Sequence, residues 1–506
     1  MTDLPVPRPA GERTVVDVLE RVARDHPDVE AYVDGDQRLT YGALAARSAG
    51  LALALRDRGV GRGDVVAIRI PTSVEYALVY LAALRLGAVA SGINPRLGPR
   101  EVEGIVAQAR PVLTVLEDVD GTDEHGAPGG PRPGAVMTRR EVAGVPAGDP
   151  AWRGSDLAAD DAVAIVWTSG TTGAPKGAVF DHANLQALSR ATGELSAPFD
   201  RRLSPVPFAH VGYMTRLWDE LGNAMTSVIV PTPWTAAASV DLMESERVTV
   251  GQGVPTQWEL VLRQPGLAAR DLSSLRLIAS GAARVPASLV FELQRTFHCP
   301  VVVRYATTEA SVISGTRRDD PPEVVEATVG APCPTVEVRI TGDDGRPLPA
   351  GAVGGIEVRS GAVMRGYLGE AHASPIRPDG WLVTGDAGSL DEAGRIHLVG
   401  RRSEMYVRGG YNVYPLEVEQ VLAEHASVAE AAVAGVPDEV LGAVGVAWVV
   451  PADAASPPDA EALRRWVRDQ LADYKAPDRV VVVASLPRNQ MGKVDKRVLG
   501  ESGPPG

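Results

Sequence analysis

Apolar and polar positions alternate along this chain with two periods, and the switches between them mark out its elements. Thr40 precedes Tyr41, Leu44, Ser48, Leu51 and Leu55, one apolar stripe at helical spacing behind an N-capping hydroxyl. GDVVAIRI at 63–70 reads as a short buried strand, followed by an Ala- and Leu-rich helix and strand-like VLTVLE at 112–117. Strands alternating with helices predict a parallel α/β layer. From 120 to 154 the chain is dense in Gly and Pro and shows no packing period, which predicts a surface excursion. Alternation resumes with AVAIVW at 162–167 and with GAVF before a helix starting near Asn184. It continues with SVIVP at 227–231, VTVGQGV at 248–254, LRLIASG at 275–281 and VVVRYATTE at 301–309.

Between 321 and 400 the texture changes to short alternating strands such as VEVRIT and GGIEVRS, separated by turns like GDDGRPLPAG. That is the pattern of a small barrel or sandwich. After 400 it changes again. Pro415 opens a helix with Leu416, Val418, Val421 and Leu422; the strands AEAAVAGV and GAVGVAWVV follow, then a helix with Leu463, Trp466, Val467 and Leu471. RVVVVA closes a compact α+β unit, so the expected division is 1–400 and 401–506.

At 506 residues the chain is long enough for two to four structural units. A net charge of −14 argues against a broad nucleic-acid surface but leaves room for a local basic nucleotide pocket. Two cysteines, Cys299 and Cys333, make neither a disulfide framework nor a metal cluster and fit a reducing compartment. The N-terminus lacks a signal-peptide apolar core, and the most membrane-like stretch, 77–93, contains Arg85 and two glycines. A soluble, cytoplasmic protein with no membrane partner is expected.

Residues 168–177, TSGTTGAPKG, directly follow AVAIVW. Close backbone approach, several hydroxyls and one ammonium are what a phosphate site needs. The P-loop pattern fails, since Pro175 precedes Lys176 and Gly177 follows it. On these residues alone a phosphate cradle and a flexible hairpin tip both stand.

Further stretches decide between them: PFAHVG at 207–212, YATTE at 305–309, TGD at 384–386, GRRSEMYVRGGYNVYPLEVE at 400–419 and PRNQMGKVDKR at 487–497. With TSGTTGAPKG, in this order, they resemble the adenylate-forming superfamily: acyl-CoA and aryl-CoA synthetases, peptide-synthetase adenylation domains and luciferases. LTYGALAARS and GRGDVVAI also look like its N-terminal portion, so the likeness spans almost the whole chain. It implies an α/β fold whose large N-terminal domain has two α/β subdomains plus a distorted β-barrel, with a small mobile α+β C-terminal lid. It also implies two half-reactions. A carboxylate attacks the α-phosphate of ATP, and a thiol such as that of CoA then attacks the acyl-adenylate.

The resemblance carries roles onto matching positions. Thr168, Ser169, Thr171 and Thr172 would offer hydroxyls to the departing pyrophosphate, with Gly170 and Gly173 admitting the backbone and Lys176 adding charge or bracing the loop. Glu309 is the Mg²⁺ ligand candidate, Thr308 would donate to the α-phosphate, and Tyr305 would stack on adenine beside Gly281 and Ala282. Asp386 and Arg401 would hold the ribose, Lys493 would be the catalytic cation of adenylation, and Gly409 and Gly410 would admit a pantetheine arm. Ser403 stands at the hinge position, where the family usually has Asp or Lys. His210, Val211, Gly212, Gln252 and Ala306 would line the acyl pocket, Ala306 narrowing its floor where the family more often has Gly.

Arg304 would line it too, and a buried guanidinium needs either a structural carboxylate or the substrate as its partner. The leading reading is an ATP-dependent CoA ligase for an aromatic or polar carboxylic acid. Passing the adenylate to a carrier protein or an amine, or adenylating a small anion such as nitrite, is the alternative. A homodimer stays open. A regulator that has lost its chemistry is disfavoured by intact Lys493, Glu309 and Asp386.

Overall fold

A computed structural model describes residues 11–118, 134–154, 156–168, 175–281, 285–369, 374–409, 411–438, 440–488 and 494–501. The chain divides into two units, Met1–Glu337 with Val358–Leu382, and Val338–Glu357 with Val383–Gly506.

The first unit is built on two sheets. One has nine strands, in spatial order Ala331–Pro332, Ser311–Gly315, Val301–Thr307, Leu277–Gly281, Val250–Gly253, Arg201–Ser204, Thr226–Ile229, Glu30–Asp34 and Gln37–Thr40. The other has seven: Gly366–Tyr367, Lys176–Asp181, Ala162–Thr168, Val89–Gly92, Val65–Arg69, Leu113–Leu116 and Ala135–Thr138. Their inner strands pair in parallel, as helix-alternation requires, while antiparallel partners close both edges of the first sheet and one edge of the second. The predicted helix behind Thr40 is Tyr41–Asp57, with Thr40 Oγ1 accepting the Ala43 N–H at 3.3 Å and Leu44, Ser48, Leu51 and Leu55 buried. The helix Val74–Arg85 is buried along its whole length and no helix among the described residues is long and apolar enough to cross a membrane.

Arg85 explains why the Gly/Pro-rich stretch is only partly an excursion. Its guanidinium is fully buried and donates to Trp152 O at 2.7 Å, Pro150 O at 2.9 Å, Ser48 Oγ at 3.1 Å and Ala45 O at 3.2 Å. A buried cation demands such acceptors, and the 150–154 stretch supplies two of them. Ala135–Thr138 likewise forms a strand parallel to Leu113–Leu116, and Thr138 caps the helix Arg139–Gly144. Residues 119–133 lie outside the described set.

The strands Glu337–Thr341, Gly354–Arg359, Leu382–Leu390 and Ile396–Arg401 form a four-stranded sheet with two ends; no closed barrel forms among the described residues. The β-rich texture at 321–400 is as expected, but closure depends on edge pairing, which alternation does not encode. The segment after 400 folds as the expected α+β unit. Val428–Asp438 and Gly442–Pro451 make a long antiparallel hairpin, Arg479–Val482 adds in parallel, and the helices Pro415–Ala423 and Ala460–Gln470 bury Val418, Leu422, Leu463 and Val467 in its core.

Candidate active site

The strand Val301–Thr307 runs into Thr308 and Glu309, both half-buried, before the chain turns back at Ser311 with φ +57°. Thr307 Oγ1 accepts the Ala310 N–H at 3.1 Å and so tightens this turn. Glu309 O accepts the Met364 N–H at 2.8 Å, and Glu309 Oε1 accepts the Tyr367 hydroxyl at 2.7 Å. Tyr367 sits on the two-residue strand that pairs with Lys176–Asp181, and the Lys176 ammonium lies 5.4 Å from its ring centre. Tyr367 therefore joins Glu309, at the end of one sheet, to Lys176, at the edge of the other. The sequence reading missed Tyr367; MRGYLG carried no packing period to single it out.

Thr168 and Lys176 are opposite each other in an antiparallel register, so the strands on either side of TSGTTGAPKG form a hairpin. Gln108 Nε2 donates to Pro175 O at 3.1 Å and pins its second stem. Ser169, Gly170, Thr171, Thr172 and Gly173 lie outside the described residues, as do Ala282, Gly410 and Lys493.

The PFAHVG segment is held by an aromatic stack. Phe208 and Tyr213 lie 3.5 Å apart and nearly parallel, and the Tyr213 and Tyr32 hydroxyls share a 2.8 Å hydrogen bond. His210 and Val211 stand at the start of the short helix Val211–Met214, with His210 Nε2 3.3 Å from Asn94 Nδ2. A Cβ on Gly212 would lie 3.9 Å from Gln252 Nε2, which brings this segment and the strand Val250–Gly253 together. Gln252 neighbours Ala279, and Gly281 neighbours Arg304, in the same sheet. Tyr305 is buried and Ala306 exposed on opposite faces of their strand.

Arg304 Nη1 donates to Thr316 O at 2.6 Å, and its stem crosses Gly315, where a Cβ would come within 1.8 Å of Nη1. Glycine is needed there for the guanidinium to pass. Among the described residues its buried Nε has no hydrogen-bond partner, and no carboxylate lies within ion-pairing distance. Burial holds the guanidinium below its ordinary pKa, with the Cys333 thiol and the Glu194 and Asp320 carboxylates opposing and Arg216 adding to the effect. The guanidinium donates to main-chain carbonyls, and Glu194 and Asp320 act on it without pairing with it among the described residues.

In the second unit, Asp386 and Arg401 are cross-strand partners joined by a 2.9 Å ion pair, the carboxylate buried and the guanidinium half-exposed. Gly409, at φ +56°, donates its N–H to Leu441 O at 2.9 Å. Ser403 is exposed in the turn after Arg401.

The AMP-binding enzyme model matches residues 19–368, and the AMP-binding enzyme C-terminal domain matches residues 417–493. A (methyl-dioxo-octahydroindenyl)propanoyl:CoA ligase of Rhodococcus jostii (strain RHA1) is 34% identical over 99% of both chains. A feruloyl-CoA synthase of an Amycolatopsis species is 35% identical over 94% of this chain and 96% of its own length. The ATP-bound crystal structure of MatB from Rhodopseudomonas palustris aligns with a TM-score of 0.85 at 30% identity, covering 96% of this chain and 98% of its own.

Proposed function

The chain belongs to the AMP-binding enzyme family as an AMP-forming acid–thiol ligase, and we propose that its acid carries an oxygen function remote from the reacting carboxylate. ATP and CoA are the co-substrates that fit this family. The observation that carries the assignment of its phosphate site is the joining of Glu309 and Lys176 through Tyr367. A carboxylate that aligns a metal and an ammonium that faces leaving phosphates are thereby fixed on one phenol.

Mg²⁺ fits this place as a cation held mostly by nucleotide oxygens and water. Glu309 has one oxygen engaged by Tyr367 and Oε2 without a hydrogen bond among the described residues, and no cluster of three or more acidic, His or Cys ligands occurs among them. When bound, the ion neutralises phosphate charge. Thr308 donates toward the α-phosphate, and the hydroxyls of 168–172 hold the β- and γ-phosphates. Asp386, aligned by Arg401, accepts from the ribose. Lys493 touches both the attacking carboxylate oxygen and the α-phosphate, where negative charge gathers. Gly409 and Gly410 then admit the thiol arm. His210, Val211, Gly212, Gln252 and Ala306 form the acyl wall, with Arg304 as its guanidinium member.

The acids named for the two relatives support the substrate reading, since one carries two oxo groups and the other is an oxygenated aromatic acid. Pyrophosphate release measured over a panel of acids, with and without CoA, tests it. Release that needs no acid would overturn the assignment, and acyl transfer only to a carrier protein or an amine would replace CoA as the acceptor.

Tyr367→Phe keeps the ring under Lys176 and removes the hydroxyl from Glu309. The Mg²⁺ concentration for half-maximal pyrophosphate release should rise about fivefold, the equivalent of about 1 kcal/mol. Thermal stability should barely change. An unchanged Mg²⁺ dependence would remove Tyr367 from the site.

A further inference from the structure

The second unit holds a partly buried charge cluster that none of these roles uses. Lys496 opens the helix Lys496–Glu501, and its Nζ lies 2.7 Å from Glu404 Oε2 and 2.7 Å from Glu419 Oε1. Glu419 Oε1 also accepts the Val433 N–H at 2.7 Å, tying the helix Pro415–Ala423 to the strand Val428–Asp438. Glu404 stands in the turn just past Ser403, its N–H donating to Arg401 O at 3.1 Å.

The chain before Lys496 is equally fixed. Arg488 and Val494 form an antiparallel bridge, Asp495 N–H donates to Pro487 O at 2.8 Å, and Arg488 pairs with Glu430. Both stems of segment 489–493 are therefore anchored, one by Glu430 and the other by Glu404 and Glu419. In KVDKR at 493–497 the second lysine, Lys496, is drawn partly into the fold. Withdrawing an ammonium from water is unfavourable unless carboxylates meet it, and two do.

We propose that Lys496 is a positioning residue: clamped by Glu404 and Glu419, it fixes the stem of the segment that ends in Lys493 and so sets where that ammonium is delivered during adenylate formation. The inference rests on the reading of Lys493 given above. Glu404, Glu419 and Lys496 all follow Ser403 in the chain, so the clamp lies wholly on the C-terminal side of the proposed hinge. Its loss falls on the half-reaction that uses Lys493, whereas a purely structural ion pair has no such preference.

The test compares Lys496→Met, Lys496→Arg and Glu404→Gln in two assays. One is pyrophosphate release from acid and ATP; the other is thioester formation from supplied acyl-adenylate and CoA. Lys496→Met should lower kcat of the first about tenfold, short of the roughly hundredfold that a full ångström of misplacement can cost, and leave the second within about twofold. Lys496→Arg should restore most of the loss. Glu404→Gln keeps the Glu419 pair and should show the same bias at smaller size; it decides the matter if Lys496→Met does not fold. Equal loss in both assays, or no loss in either, overturns the clamp. Lys493→Ala run alongside separates the two readings. If it lacks the bias, the role of Lys493 fails; if it shows the bias and the clamp variants do not, only the clamp fails.

Discussion

Lys493→Ala is expected to cut pyrophosphate release by about a hundredfold or more, while thioester formation from supplied acyl-adenylate stays within about twofold. Adenylation brings a carboxylate oxygen against an already anionic phosphate, so the transition state concentrates negative charge at one point. A single positioned ammonium there stabilises the transition state more than the separated reactants, and its removal acts on kcat. Thioester formation starts from an adenylate whose activated bond already exists and whose attacking group is a thiol. Lys493 follows Ser403 in the chain, and on the proposed reading, in which the C-terminal unit serves the two half-reactions in two orientations, it belongs to adenylation alone. Rapid-quench measurement of the two half-reactions, each started separately, checks this. Parallel loss in both would place Lys493 in the general stability of the lid.

The parallel sheets were legible because their strands are buried on both faces and bounded by helices, as with VVAIR at 65–69 and VVVRYAT at 301–307. The order of the motifs was legible for a different reason. In sequence order they resemble the adenylate-forming superfamily, and a resemblance of that kind shows in the chain without any packing. What escaped was everything set by pairing between distant segments. Tyr367 belongs to a two-residue strand whose meaning comes from Lys176 and Glu309. Lys496 looks solvated until Glu404 and Glu419 are placed beside it. The carbonyls of Pro150 and Trp152 matter only because Arg85 is buried beneath them. The open ends of the four-stranded sheet are likewise a matter of partners, not of alternation.

Arg304→Leu should exchange one class of substrate for another. The guanidinium crosses Gly315, donates to Thr316 O, and keeps a buried Nε with no partner and no carboxylate beside it among the described residues. A charge left in that state is unfavourable, and an oxygen of the bound acid is the group that would complete it. Charge-assisted hydrogen bonds of this kind contribute about 1.5–3 kcal/mol, or roughly ten- to a hundredfold in kcat/KM. Leucine fits over Gly315 and offers no donor. It should therefore lower kcat/KM for hydroxylated, methoxylated or oxo-bearing acids by that factor and raise it for benzoate and octanoate. A panel of these acids, with amino-substituted aryl acids and nitrite plus an arylamine, resolves the two directions. Loss for every acid alike, together with a lowered Tm, would make Arg304 a structural brace for the Thr316 strand. A wild-type preference for octanoate would remove the polar substrate altogether. Opposite changes for oxygenated and plain acids are the result that only a guanidinium facing the substrate produces.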